Sequence, residues 1–403
     1  MKKFIPYAMP HINMSDKQAV MKTLDSGQLV LGPKTIEFET KLKNFLCAPH
    51  VIAVSSGTSA LYLVSKALNI DSSVSVIVPT LTFTASAGAF AYSGAEIIFS
   101  DCQSDNGLIN ADLLEKAIKS SKKPVKFLVI VHLGGRIVDL SKINLLSKKY
   151  RFHIIEDCCH AFGSFELKKG VKRFIGSCEN SIASTFSFHG TKNITCGEGG
   201  AIITKSRALY KKILNFRNHG INKEKIQNKL MGFDKTTKSR NAWYYEVSNI
   251  SLNHKMSELN CALGISQLSR IPEFRKTRQM IRDIYDTSLK KLSLFTKIGT
   301  NNSENYMDHL YQVKIEFNKL NKNQIIKKLF HKGIGTQVHY VPLHEQPAFK
   351  RLRKNLKLKN SLKFYDEVLS LPFHNAMSEE DAFRVVKELR QSNKIFTLKK
   401  KVS

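Results

Sequence analysis

The stretch Phe186–Gly200 reads FSFHGTKNITCGEGG. An apolar alternation through Ile182, Phe186 and Phe188 marks a strand, and Gly197, Gly199 and Gly200 mark a turn after it. Between them stands Lys192. The chain carries 63 Lys and Arg residues, and almost any one of them is a solvated surface charge. Lys192 has a different setting: it follows a strand, lies among Ser187, His189 and Thr191, and precedes glycines that let backbone approach another group closely. A lysine held there, away from water, loses its proton and attacks a carbonyl carbon.

Upstream, the pattern alternates between strand and helix. A helix is expected over Ser15–Gly27, with Ser15 and Gln18 at capping-box spacing, and a second from Pro33 to about Phe45. A strand at Val51–Val54 runs into SSGTSALYLVSKAL, where the period turns helical at Gly57. Strands follow at Val74–Val78, Ile97–Phe99, Phe127–Val131 and Phe152–Ile155, interleaved with helices near Ala85–Tyr92, Asn110–Lys119 and Leu140–Lys149. Such near-continuous apolar strands alternating with helices predict an α/β fold with a mostly parallel sheet covered on both faces. Beyond Lys192 the pattern gives a strand at Ala201–Thr204, a helix at Ser206–Asn215 and a polar loop at Asn222–Val247. Residues 254–292 read as helix broken near Ile271–Pro272. From about Ser293 a smaller α+β region follows, with a helix at Asn321–Lys332, a strand at Thr336–Tyr340 and a last helix at Ser378–Arg390. The expected division is a large domain over 1–290 and a small one over 291–403, with no internal repeat.

Length and composition agree with an ordinary globular chain: 403 residues carry a core without metal or disulfide staples. The seven cysteines form no CxxC pair or regular framework, which points to free thiols in a reducing compartment. MKKFIPYAMPHI lacks the apolar segment of a signal peptide, and the uncharged run Ser72–Ala95 is broken by Pro79, Gly88 and Gly94. A cytoplasmic protein is expected. The net charge of +30 favours anionic partners. The lysines are scattered in short groups, with no zinc-finger spacing and no basic stripe interleaved with aromatics, so a solvated lysine-rich surface is the simpler reading.

Ligands of doubly wound sheets sit beyond the carboxyl ends of the strands, and four suggestive sites fall there. At Gly57, Thr58 and Ser59 a strand enters a helix, offering free N–H groups, hydroxyls and a positive dipole end to a phosphate; the plain alternative is a helix cap. Asp157 and His160 follow a buried strand, where a carboxylate is either one half of a structural ion pair or a partner for a protonated ring nitrogen. CCH at Cys158–His160 lacks further ligands at zinc spacing, so no metal is assigned. Phe83 is either core or a stacking face for a flat ring. Lys192 closes the set, with Ser187 as a second phosphate hydroxyl. A phosphate cup, a stacking ring, an acid for a pyridinium and an amine for an aldehyde are what pyridoxal phosphate requires.

The motifs SSGTSAL, PTLTFTASAGAF, IIEDCCHAFGS, FSFHGTKNITCGEGG, RNHGI, NHKMSELNCALGISQL and GIGTQVHYVPLHEQPAF stand in one order. In that order the chain, from about Ile5 to Leu389, resembles the DegT/DnrJ/StrS aminotransferases. The resemblance implies a fold-type I, aspartate-aminotransferase-like homodimer that moves an amino group from glutamate to a nucleotide-linked keto sugar, in amino-sugar and surface-polysaccharide biosynthesis. It implies that Lys192 carries pyridoxal phosphate, that Asp157 pairs with its ring nitrogen, and that Phe83 and His160 flank the ring. Thr58, Ser59 and Ser187 would hold the phosphate, with Asn253 reaching in from the other subunit. His189, Lys255, His339 and Tyr340 become substrate-binding candidates.

The chain departs from the family pattern in three places. Cys158 and Cys159 replace two small residues, Lys255 replaces an arginine in NHKM, and Val30 and Leu31 stand where threonines are frequent. HYVPLH, with Val341 rather than proline after Tyr340, resembles 4-aminotransferases and favours a 4-keto-6-deoxyhexose on UDP or dTDP. The alternatives are a 3-keto sugar aminotransferase and, from another class, a nucleic-acid-binding regulator on a degenerate fold of this type; the latter lacks an appended recognition-helix module.

Overall fold

The computed structural model describes residues 3–224, 226–299, 305–316, 322–351 and 356–402, with side chains as far as Asn393. At its centre is a seven-stranded sheet. Its spatial order is His50–Val54, Gly200–Thr204, Ala183–Ser187, His153–Asp157, Val125–Val131, Ser75–Pro79 and Glu96–Ser100. Every pairing from Ala183–Ser187 to Glu96–Ser100 is parallel. Gly200–Thr204 alone runs against both of its neighbours. The alternation of strands and helices in the sequence produces the parallel part, since each crossover helix returns the chain to the same edge.

Both faces of the sheet are buried, which is why its strands read as continuous apolar runs. Val54, Val78, Val129, Ile155 and Ile202 pack on one face under helices Gly57–Ala67, Ala85–Tyr92 and Arg207–Arg217. Ile77, Ile98, Leu128, Ile130 and Ile154 pack on the other under Ala111–Lys119 and Leu140–Tyr150. Helix Pro33–Leu46 and helix Glu258–Ser269 cover the remaining flank, where Phe38, Leu42 and Cys261 meet Ala53, Ala201 and Phe186. A separate three-stranded antiparallel sheet is built from Phe295–Lys297, Tyr311–Ile315 and Val368–Leu371. Ile5, Ile281, Tyr285 and Leu289 share its core, so the N-terminal segment and the end of the long helix Ile271–Leu289 pack with it. Among the described residues no helix is long and apolar enough to cross a membrane.

Several local expectations are corrected. The first helix spans Met14–Asp25 and its capping box is Asn13 with Asp16, two residues earlier than the Ser15–Gln18 pair. Asn outcompetes Ser there because its carbonyl reaches the Asp16 N–H while the Asp16 carboxylate reaches back to Asn13. Thr336–Tyr340 is not a strand; its backbone pairs with the small sheet through a single bridge, Gln337 to Ser370, and His339 adds contacts to Ser370 and Gln312. Its apolar pattern arises because Val338 and Tyr340 pack against the lower face of the large sheet instead. Asn222–Val247 is not structureless, since Ile221–Asn222 pairs with Glu246–Val247 around a short helix, Lys229–Gly232. The last helix begins at Glu379 and extends to Val402, well beyond Arg390. The antiparallel hairpin Phe165–Lys168 with Val171–Phe174 follows a tight approach of chain after Asp157 that the pattern did not mark. Asn321, the expected start of one helix, lies outside the described residues, and that helix is seen over Lys322–His331.

Candidate active site

Asp157 ends the strand His153–Asp157, and Ser187 ends its parallel neighbour Ala183–Ser187, so alternation places both at the carboxyl edge of the sheet. Asp157 is buried, and its carboxylate accepts the Ser86 hydroxyl at 2.7 Å and the Cys159 N–H at 3.1 Å. Five residues past Ser187, Lys192 sits in a loop fastened at both ends. The Phe188 N–H donates to Gly199 O and the Cys196 N–H donates to Phe188 O, each at 2.8 Å. Asn193, next in line, donates to Phe162 O and Met307 O, and its own carbonyl accepts the Asn375 side chain. Burial lowers the proton affinity of Lys192, with Cys159 and Asp157 opposing, so the ammonium is held below its ordinary range.

The helix start expected to form an anion cup lies against the same edge. Ser56 caps the helix by accepting the Ser59 N–H at 3.0 Å, and the Ser59 hydroxyl meets that of Ser55 at 2.9 Å. Gly57 is required for its neighbours: a Cβ there would stand 2.8 Å from Ser187 Cβ and 3.3 Å from Cys159 Sγ. Thr58 is exposed at the mouth. Gly57 is thus packed against Ser187 at this edge, with Ser59 two residues further on, and the helix cap itself is Ser56.

Above the cup, Phe83 remains 54% exposed despite lying on a segment that is otherwise mostly buried. Its ring is 6.0 Å from Tyr340, and Tyr340 lies nearly parallel to His160 at 6.1 Å. The His160 tautomer is fixed from below. The backbone N–H of Gly134 donates to His160 Nδ1 at 3.1 Å, so Nε2 carries the proton and donates to the Tyr340 oxygen at 3.2 Å. The Tyr340 O–H is thereby left to donate elsewhere. Burial, reinforced by Lys192, drives both His160 and His309 well below the usual imidazole range. His309 packs at a tilt against His160, ring centroids 4.5 Å apart. His339 is buried, bonded through Nδ1 to Ser370 at 2.8 Å, and pushed down to about 4 by burial and Lys192.

The remaining candidates lie further out. His189 is half exposed and bonds Thr191, with Glu198 at 3.8 Å. Asn253 and Lys255 flank His254, whose carbonyl accepts the Ser55 N–H at 2.9 Å, so their segment runs along the cup. Lys255 itself is tied to Asn218 Oδ1 at 3.0 Å. Of these three, His189 alone makes a described bond to the reactive pair, its backbone carbonyl accepting the Lys192 N–H at 2.9 Å. Sequence reasoning missed Ser86, Thr82, Gly134 and His309. A serine inside the otherwise apolar helix ASAGAFAY was the available signal for Ser86.

His132, Glu156 and Cys158 also cluster, with ligand-type atoms within 4.8 Å of one another. Here the Val138 N–H donates to His132 Nδ1 at 3.2 Å, which puts the ring proton on Nε2, facing Glu156 at 3.2 Å. That nitrogen's lone pair is not available to a metal, and His132 and Glu156 form a hydrogen-bonded buttress beside Cys158.

A flat, phosphorylated pyridine aldehyde fits the edge described. The Gly57 cradle would suit its phosphate, the exposed Phe83 face its ring, Asp157 its nitrogen and the partly buried Lys192 its aldehyde. Comparison with known proteins agrees. Residues 10–390 match the DegT/DnrJ/EryC1/StrS aminotransferase family. The chain is 34% identical to the UDP-4-amino-4,6-dideoxy-N-acetyl-beta-L-altrosamine transaminase of Campylobacter jejuni, over 94% of each chain. It is 32% identical to the spore coat polysaccharide biosynthesis protein SpsC of Bacillus subtilis, over 96% of each. Among solved structures it resembles Helicobacter pylori PseC, an aminotransferase involved in the biosynthesis of pseudoaminic acid, with a TM-score of 0.85 and 28% identity over 97% of this chain and 100% of that one. A sugar aminotransferase of Streptococcus pneumoniae, solved in PLP and PMP forms, gives the same TM-score and identity. With fold, site and near full-length likeness in agreement, the chain belongs to the DegT/DnrJ/EryC1/StrS aminotransferase family, the pyridoxal-phosphate-dependent sugar aminotransferases.

Proposed function

We propose that this enzyme carries an amino group from glutamate to C4 of a 4-keto-6-deoxyhexose linked to UDP or dTDP, as a cytoplasmic homodimer supplying amino sugars for surface polysaccharide. The observation that carries the reading is the pairing at one sheet edge of a lysine of lowered proton affinity with a buried, half-saturated carboxylate. The choice of C4 is supported by relatives named for a 4-amino sugar and by Val341, rather than proline, after Tyr340.

In this assignment Lys192 holds the cofactor's aldehyde carbon and Asp157 its ring nitrogen. Phe83 and His160 cover its faces. Gly57, Thr58, Ser59 and Ser187 hold its phosphate, joined by the partner subunit's Asn253. Bound there, pyridoxal phosphate supplies an electron sink for the pair left when a Cα–H bond is broken. Lys192, whose ammonium is held below its ordinary range by burial, would take the Cα proton of glutamate and later deliver one to C4 of the sugar. Asp157 keeps the ring nitrogen protonated. His189, Lys255, His339 and Tyr340 are assigned to the substrate side, where Tyr340 has an O–H to donate. The Lys192→Ala variant is expected to lose turnover and the visible absorbance of the lysine-bound cofactor; a variant that kept both would overturn the assignment. Mixing the pyridoxamine-loaded enzyme with a panel of UDP- and dTDP-linked 4-keto and 3-keto sugars, and following the return of that absorbance, identifies the sugar.

A further inference from the structure

The segment Thr80–Ser86 leaves the strand Ser75–Pro79 and enters the helix Ala85–Tyr92 in a single turn. Two of its side chains face the site. Phe83 offers its ring, and three residues on, Ser86 donates its hydroxyl to Asp157 Oδ2 at 2.7 Å. A carboxylate only accepts, so the Ser86 proton is committed to Asp157. The contact of 2.7 Å between Thr82 Oγ1 and Ser86 Oγ must then be donated by Thr82. Ser86 is fully buried and Thr82 almost so, which leaves no water to replace either hydroxyl. The result is a directed chain, Thr82 to Ser86 to Asp157.

We propose that Ser86, backed by Thr82, is a positioning residue for transamination, fixing the Asp157 carboxylate in the orientation that meets the cofactor's ring nitrogen. This rests on the reading of Asp157 given above. The Cys159 N–H holds Oδ1 from the strand side, and Ser86 holds Oδ2 from the helix side. Two donors from different elements stop the carboxyl group from rotating about its own axis. Because Phe83 and Ser86 share one turn, the ring face and the acid are set in register by the same piece of backbone.

Holoenzyme of four variants tests the proposal, with two readouts: the nitrogen NMR shift of ring-labelled cofactor, and the rate at which cofactor is released to a competing scavenger. Asp157→Asn is expected to move the shift to the unprotonated position and speed release. Ser86→Ala is expected to move the shift in the same direction, release cofactor roughly tenfold faster and lower kcat by about tenfold with KM for the sugar little changed, the scale of one hydrogen bond to a charged group. Ser86→Thr restores both readouts. Thr82→Val, which leaves Ser86 in place, produces the same change at smaller amplitude. If Ser86→Ala and Thr82→Val keep the wild-type shift and release rate while Asp157→Asn alters both, the positioning role is overturned. If Asp157→Asn itself leaves the shift unchanged, the reading of Asp157 fails and the role of Ser86 with it.

Discussion

Glu156 and Asp157 are neighbours on one strand, both buried, and they point to opposite faces of the sheet. Glu156 is saturated: His132 Nε2 lies at 3.2 Å, and the hydroxyls of Ser181 and Ser184 also donate to it. Burial pushes its carboxyl up, but the hydrogen bond from His132, together with those from the serines, outweighs this and holds it below the ordinary range. Asp157 accepts the Ser86 hydroxyl on one oxygen and the Cys159 N–H on the other, with the Cys159 thiol, Tyr340 and Lys192 close by and no paired cation among the described residues. A saturated carboxylate stabilises a fold, whereas a partly saturated one has capacity left for a ligand. Strand alternation separates the two duties by one residue.

The comparison breaks most visibly in activity. Asp157→Asn is expected to lower kcat by roughly 100- to 1,000-fold, the scale of a lost preorganised charge, with little change in the thermal midpoint. Glu156→Ala should do the reverse, costing about 3 kcal/mol or more by stranding His132 and two serines, while folded protein still binds cofactor. Calorimetry and cofactor absorbance on both variants decide it, and equal losses of stability would end the distinction.

Acid titration should divide the faces again, on a smaller scale. His339, on the cofactor side, is held near 4 when folded, below its ordinary value of about 6.5. Its contribution is complete above about 6.5 and is lost as pH falls toward 4, at about 1.4 kcal/mol per unit, because only the unfolded chain takes up the proton. Glu156 has a depressed folded value, so its contribution is present above the ordinary glutamate value of about 4.3 and is lost as pH falls through the folded one. Denaturant midpoints against pH should therefore decline in two windows, with His339→Gln flattening the upper and Glu156→Gln the lower. The smallest effect is expected from Tyr340→Phe. Removing an O–H that His160 donates to, and that can itself donate outward, should cost about 1 kcal/mol in kcat/KM for the sugar and leave cofactor binding unchanged.

Much of this arrangement could be read from the chain. The strands and helices leading to Asp157 and Lys192 announce themselves because two-sided burial makes strands apolar throughout and crossover helices keep their period. What local pattern cannot show is the meeting of distant segments. Ser86 reaches Asp157 across 71 residues and Tyr340 reaches His160 across 180. Gly134 looks like an ordinary turn glycine until its N–H is seen to choose the tautomer of His160. Thr336–Tyr340 misled for the opposite reason: its β-branched and aromatic residues serve the underside of the large sheet rather than a ladder. The antiparallel direction of Gly200–Thr204 was equally hidden, since direction leaves no trace in composition.

That reversal has a further consequence. Because the chain doubles back after Lys192, the loop bearing the amine is closed by its own backbone, Phe188 to Gly199 and Cys196, and is pinned by Asn193 and Asn375. None of these fastenings uses the lysine side chain. The frame and the reactive group are thus separable parts: a different side chain at this position would be carried to the same point in space, and one scaffold can change its chemistry by exchanging a single residue while its foldedness is untouched.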